Sequence, residues 1–400
     1  TPTPPFLGQD PAVRAAPNEA RAGVLRDGAA GEAALFEGLA AEARPGDVAL
    51  YNARVRFAIQ GAYRSHGYVD TGGAVIDADL VRPEGQLGRD TLDDMLLSFG
   101  IGRLVDAETV EIVADGSDGG VATVRAVGTD VGWGMTQGVA ETPEPLLGPL
   151  NLRVETTYTL APDSYVLRIS TTYLNQGDEV SRFNPTDGFV VSAEDMVSWA
   201  ADQGLATPEG DDLEAVGMIG RRGAPAVSYW PIDGLVDRLD TGGLLDTSGI
   251  RAFVSGWRDL APGDSFTLDR AWSLGPDTLT AEAARWRTQG VVTTSIAGRI
   301  TDAASGAGVP GARVHVVSAQ DPPRFLGYAL AGADGAWSAE VPAGSYVAWP
   351  TGLLESERVD LPSGAGNYGP FVPPAANQRV LAALNPSTPA VAVALAEGRA

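Results

Sequence analysis

The chain has 400 residues, 51 acids against 28 bases and a formal net charge of -23, so no basic stripe exists to displace counterions from a nucleic-acid backbone. Zero cysteines exclude disulfides, thiolate metal sites and a cysteine nucleophile. No apolar run approaches the roughly 20 residues that a membrane-crossing helix needs, so no membrane span is expected.

In chain order, residues 1–47 are rich in Ala, Gly, Pro and Glu, with few large side chains apart from Leu35, Phe36 and Leu39. They read as an extended lead-in with one short helix. Thr1-Pro2-Thr3-Pro4-Pro5 is no initiator sequence and is read as the mature end left by a removed secretory signal, which gives a secreted or periplasmic location.

A large β domain is expected over 48–276. Val55 to Gln60, Thr109 to Val113, Ala122 to Val127 and Leu152 to Tyr158 alternate apolar and polar residues with a period of two. The clearest hairpin joins Leu152–Leu160 to Tyr165–Tyr173 through Ala161-Pro162-Asp163-Ser164, where proline presets φ and aspartate closes the turn. Further strands follow up to Leu274, enough for two packed sheets.

After Gly275-Pro276 the period changes. Asp277 or Thr278 caps a helix that runs through Arg287 and stops at Gly290, so 277–293 is a helical connector. A small sandwich is expected over 294–372, and 373–400 reads as a final strand plus linker. The fold class is therefore all-β, a large two-sheet domain followed by a small β-sandwich.

Few residues suggest chemistry. His315 alternates with Val314 and Val316 and reads as a half-exposed strand histidine, whereas His66 sits in a polar loop near Asp70, Asp77 and Asp79 as a candidate ligand. No His-x-His or His-Glu-x-x-His pair occurs, nor a Gly-x-Ser-x-Gly nucleophile motif, so no catalytic residue is assigned and the metal assignment is left unknown. Oxygen-only calcium coordination is the candidate cofactor chemistry, through Asp77-Ala78-Asp79, Asp115 to Gly120 or Glu209 to Asp212, although none has full calcium-loop spacing. The stretch around Asp187 and Trp199 is the most unusual polar and aromatic one and is a candidate cleft lining. Its bland alternative is an Asx-turn beside a core tryptophan.

The passage Gly298 to Asp302, Gly308-Val309-Pro310-Gly311-Ala312-Arg313-Val314, Asp334-Gly335-Ala336-Trp337 and Pro342-Ala343-Gly344-Ser345-Tyr346 resembles a carboxypeptidase regulatory-like domain. That resemblance implies a non-catalytic, transthyretin-like sandwich of about seven strands. Val55 to Gly61, Gly72 to Leu80 and Asp187-Gly188-Phe189 resemble the N-terminal region of bacterial CehA/McbA-type metallohydrolases, in which such domains precede a PHP-type catalytic domain. None of the catalytic ligands of that family maps onto this chain. The large domain is also similar to galactose-mutarotase-like supersandwiches, whose catalytic His and Glu have no convincing counterpart here.

The expected role is an accessory, scaffold or ligand-recognition part of a larger or processed hydrolase. A carbohydrate ligand would use Trp133, Trp199, Trp230 or Trp257 as stacking platforms. One rival is a structural subunit of an extracellular matrix or filament that self-associates by strand addition of the light N-terminal segment or of Val391 to Leu395, and another is a carbohydrate-active enzyme using Asp77, Asp79 and Asp187.

Overall fold

The structure, a computed structural model, describes residues 6–64, 69–99, 102–133, 148–191, 196–200, 212–220, 223–235, 237–238, 250–301, 305–319, 324–351, 380–383 and 392–394. Strands dominate, in agreement with the alternating patterns, and the chain divides into two compact units. The first holds Thr1–Met196, Gly210–Asp212 and Trp230–Trp272, and the second Val197–Glu209, Leu213–Tyr229 and Ser273–Ala400.

The lead-in is more structured than its composition suggests. β1 (Ala20–Val24) and the one-turn α1 (Ala29–Glu32) precede β2 (Val48–Asn52), β3 (Val55–Ile59) and β4 (Val75–Leu80), and β1 to β4 form an antiparallel sheet in that order. Small residues at Ala20, Ala22 and Gly23 let β1 lie close against its neighbours, so a segment without large side chains still becomes a strand.

The chain continues through β5 (Leu92–Phe99), β6 (Arg103–Asp115), β7 (Ala122–Gly132), β8 (Leu152–Leu160), β9 (Val166–Asn175), β10 (Ser181–Phe183) and β11 (Pro185–Val191). Then come β12 (Met196–Ala200), β13 (Val216–Gly220), β14 (Ala226–Pro231), β15 (Asp237–Arg238), β16 (Ile250–Val254), β17 (Arg258–Leu260) and β18 (Ser265–Gly275). Within the first unit the large sheet runs β18-β9-β8-β7-β6-β5-β11-β16-β15, and β10 pairs with β17 as a separate ribbon.

The expected hairpin forms with Leu160 opposite Leu167, and Asp163 takes the left-handed turn conformation with φ 55°. Asn52 at the end of β2 donates to the carbonyls of Ala161 and Ser164, tying the small sheet to this turn. The two sheets bury Phe57, Phe99, Phe183, Phe189 and Trp272, with Phe57 and Phe189 each 5.4 Å from Trp272 in edge-to-face contact. Each such side chain contributes roughly 2–3 kcal/mol by burial.

In the second unit α2 (Thr278–Thr288) leads into β19 (Thr293–Arg299), β20 (Arg313–Ser318), β21 (Phe325–Leu330), β22 (Ala336–Pro342), β23 (Ser345–Thr351), β24 (Val380–Ala383) and β25 (Ala392–Ala394). Among the described residues these make two sheets, β22-β19-β25 and β21-β20-β23-β24, of which β24 and β25 come from the segment 373–400 that was expected to be a final strand plus linker. β25 pairs in parallel with β19 of its own chain rather than standing free as a donor strand.

The helix begins as expected. Asp277 accepts the Thr280 amide at 2.8 Å, and its other oxygen accepts the Leu330 amide at 2.9 Å, while Thr278 Oγ1 accepts the Tyr328 amide at 2.7 Å. Asp277→Ala is expected to cost about 2–3 kcal/mol, one part for the lost cap and another for the orphaned strand amide. Thermal unfolding of the full chain checks this, and Asp277→Asn, which keeps an acceptor, should cost less. Equal stability of Asp277→Ala and the parent would refute the double role.

His315 departs from the sequence expectation. It is 5% exposed rather than half-wet, because both faces of β20 are covered. Val314 and Val316 pack with Leu279, Trp286 and Trp337, while Val317 on the histidine's face packs with Trp199, Ile219, Phe325 and Tyr328. The alternation predicts water on one side of the strand, and Trp199 and Ile219 take the place of that water.

Candidate functional site

The six residues singled out from sequence do not converge. His66 lies outside the described residues. Asp70 pairs with Arg64 at 3.0 Å on the surface. Asp77 and Asp79 face the same side of β4 but are both buried: Asp77 accepts the amides of Glu42 and Ala43 at 2.8 and 2.7 Å, and Asp79 pairs with Arg82 at 2.6 Å and accepts the Arg89 amide at 2.8 Å. Asp187 on β11 forms an ion pair with Arg270 on β18, both buried, with Arg270 Nη2 donating to Asp187 Oδ1 at 3.0 Å.

Trp199 is fully buried in the second unit, its indole N–H donating to Val227 O at 3.1 Å. Of the bland reading of that stretch the core tryptophan holds, whereas Asp187 lies within strand β11 in an ion pair and forms no Asx-turn. Trp133 and Trp230 are also buried and present no face to a ligand, which corrects the stacking expectation for three of the four tryptophans. Trp257 alone of the four is open, 56% exposed, with the Arg182 guanidinium 5.3 Å from its ring centre.

The calcium candidates fare similarly. Asp115 and Asp118 spend an oxygen each on the amides of Ser117 and Gly120 in the β6–β7 turn, as Asx-turn residues do. Among the described residues no three carboxylates or imidazoles converge as a cation requires. Glu209 to Asp211 lie outside the described residues.

A different site emerges in the first unit where β7 and β9 end and β8 begins. A cavity of about 560 Å³ is lined by Thr129, Asp130, Pro149, Asn151, Leu152, Gln176, Gly177 and Asp178. Its floor is fixed by Asp130, whose side chain is 3% exposed, pairs with Arg103 at 2.6 Å and accepts the amides of Leu150 and Leu152 at 2.9 and 2.8 Å. These bonds commit Asp130 to structure. They also hold residues 150–152 so that Asn151 projects at the rim with φ 54°.

The opposite wall is set by Asn175. Its Oδ1 accepts the Gly177 amide at 2.8 Å, its Nδ2 donates to Glu179 O and Leu260 O, and Asn151 O accepts the Gln176 amide at 2.9 Å. Asn151, Gln176 and Asp178 are exposed, and among the described residues no partner takes their side-chain amides or carboxylate. The result is a rigid rim carrying two amides, a carboxylate and the Thr129 hydroxyl, able to donate and accept hydrogen bonds toward a hydroxylated guest. None of these residues stands out in the sequence. The signal lay in the β8–β9 register, which sets Leu152 opposite Asn175 and so brings the two turns together.

No protein-family model matches the chain, and no curated protein does either. Solved structures with a similar backbone include a galactose mutarotase related enzyme from Lactobacillus acidophilus, 12% identical with a TM-score of 0.32, covering 57% of this chain and 97% of that one. A GH36 α-galactosidase, AgaB, from Geobacillus stearothermophilus is 10% identical with a TM-score of 0.40, covering 62% of this chain and 43% of that one. A polysaccharide lyase is 11% identical with a TM-score of 0.31, covering 74% of this chain and 45% of that one. No residue's role passes from these proteins to this chain. Among the described residues no helix is long and apolar enough to cross a membrane.

Proposed function

We propose that this chain is a recognition module for a polyhydroxylated ligand, a carbohydrate, held at the polar cavity between the β8 and β9 ends. The observation that carries it is the rim itself: Thr129, Asn151, Gln176 and Asp178 surround a volume of about 560 Å³. A lining of amides and hydroxyls suits a guest whose own surface is mostly hydroxyl, since each desolvated group finds a partner of the opposite kind.

The carboxypeptidase regulatory-like and CehA/McbA-type motifs support a wider role as the accessory part of a metal-dependent hydrolase outside the cytoplasm. In that role the bond-breaking groups belong to a domain outside these 400 residues. The β pair then holds or presents the sugar-bearing target to its partner.

Calorimetric titration of the full chain with a panel of neutral oligosaccharides tests the cavity. Binding is expected, and Asn151→Ala and Gln176→Ala should each weaken it about fivefold, the worth of roughly 1 kcal/mol for one hydrogen bond. Both positions are exposed, so the variants should fold, Asn151→Ala at a cost of about 1–2 kcal/mol for an alanine at φ 54°. Undiminished affinity in the double variant, or no binding at millimolar sugar, would refute the assignment.

A further inference from the structure

Two buried carboxyl groups in the first unit lie within hydrogen-bond reach of each other. Asp77 on β4 and Asp90, just before β5, are both 0% exposed. Asp77 has both oxygens occupied, by the amides of Glu42 and Ala43. Asp90 Oδ1 accepts the amides of Ala78 and Leu92 at 3.2 and 3.1 Å, whereas its Oδ2 is buried without a hydrogen-bond donor. Two acceptors in contact need a proton between them. The open oxygen is on Asp90, so Asp90 carries the proton and donates to Asp77.

The same contacts fasten a strap. Residues 37–43 lie along Asp90, with the Asp90 amide donating to Glu37 O at 3.2 Å and the Ala40 amide to Asp90 O at 3.4 Å. Gly38, at φ +154°, passes so close that a Cβ there would stand 2.3 Å from Asp90 O. The Gly88 amide donates to the Glu37 carboxylate at 2.9 Å. Through Glu42 and Ala43 the strap then ends on the Asp77 carboxylate.

We propose that Asp77 and Asp90 form a proton-sharing latch that fastens residues 37–43 against β4 and β5 and releases them when the shared proton is lost. Without that proton two adjacent buried carboxylates repel each other, and the cheapest relief is to let water in by lifting the strap. The charged groups around the pair cannot take over its role. Arg56 on β3 is the nearest cation, but its guanidinium donates to Ala34 O and Leu35 O and lies over the Phe36 ring. Arg82 is spent on Asp79, and Asp47 and Asp79 add negative charge, while Glu37 and Glu42 sit on the strap itself and Arg44 just beyond it. Burial raises both carboxyls above the ordinary aspartate range, Asp90 the more strongly, with the charge of Asp77 adding to it.

The sign follows from the raised values. The native pair holds protons that the opened strap does not, so latch stability is complete in acid and is lost as pH rises from the unperturbed aspartate value through the raised native ones. Amide hydrogen exchange on the full chain, corrected for intrinsic rates, measures this at Glu42 and Ala43. Protection there should fall by up to about tenfold per pH unit above about pH 4, while amides in the centre of β8 stay level.

Asp90→Asn supplies a fixed N–H donor to Asp77 and should abolish the pH dependence at Glu42 and Ala43. A flat profile in the parent, or an unchanged slope in Asp90→Asn, would overturn the latch. Should that variant fail to fold, carboxyl carbon NMR of the parent decides: Asp90 still protonated above about pH 5 supports the proposal, and both groups titrating near about pH 4 refutes it.

Discussion

Arg270→Leu is expected to lower the stability of the first unit by about 3–5 kcal/mol, read as a fall in the urea midpoint by tryptophan fluorescence. The guanidinium is wholly buried and forks onto Asp187, while Nη1 donates to Thr171 Oγ1 at 2.8 Å and Leu268 O at 3.2 Å. Removing it strands a carboxylate that is 3% exposed, on the inner face of the large sheet. The desolvation cost of Asp187 then loses the compensation of that cation, and that cost rather than the worth of the pair sets the size of the effect. The double variant Arg270→Leu with Asp187→Leu removes both charges and should recover most of the loss. If the single variant unfolds at the parental midpoint, Asp187 has found water or another partner and the ion pair is not structural.

Acidification should unfold the small sandwich before anything else in its core demands it. Burial holds the His315 imidazole neutral, its pKa pushed down to about 3 with the Arg313 charge adding to the effect. The unfolded chain takes up a proton near pH 6.5, the native one only near pH 3. Stability therefore falls as pH drops through that interval and levels off below it. The full loss is up to roughly 4–5 kcal/mol, the energy of a pKa difference of this size. His315→Phe keeps an aromatic ring against Phe325 and Tyr328, whose ring centres lie 6.0 and 5.9 Å away, and should remove the slope between about pH 6 and pH 4. An acid slope as steep in His315→Phe as in the parent would assign it to other groups.

Local chemistry was readable from the sequence where neighbours in the chain decide the outcome. The Pro162-Asp163 turn, the alternation on either side of it and the Asp277 cap depend on residues within a few positions of one another, and each formed where expected. His315 failed because its environment is set by Trp199 and Ile219, about a hundred residues earlier, and a period of two cannot say whether protein or water covers a face. Asp77, Asp79 and Asp187 looked like available acids for the same reason. Amide donors such as Glu42 and Ala43, and the Arg270 guanidinium, claim them only once strands distant in sequence are brought together. The cavity rim was hidden in two turns whose asparagine, glutamine and aspartate carry no motif, and only their register makes them neighbours.

The bonds that Asp277 and Thr278 send to Leu330 and Tyr328 also decide how this protein can meet its own copies. Among the described residues β21 is the outer strand of its sheet, and such a strand ordinarily offers a row of unused amides to any passing segment. Here two of those outward amides are already taken by the start of α2, so a foreign strand would have to displace the helix cap before it could pair. Growth into a fibre along this edge is thereby closed off, and assembly by strand exchange would have to begin at another margin of the molecule.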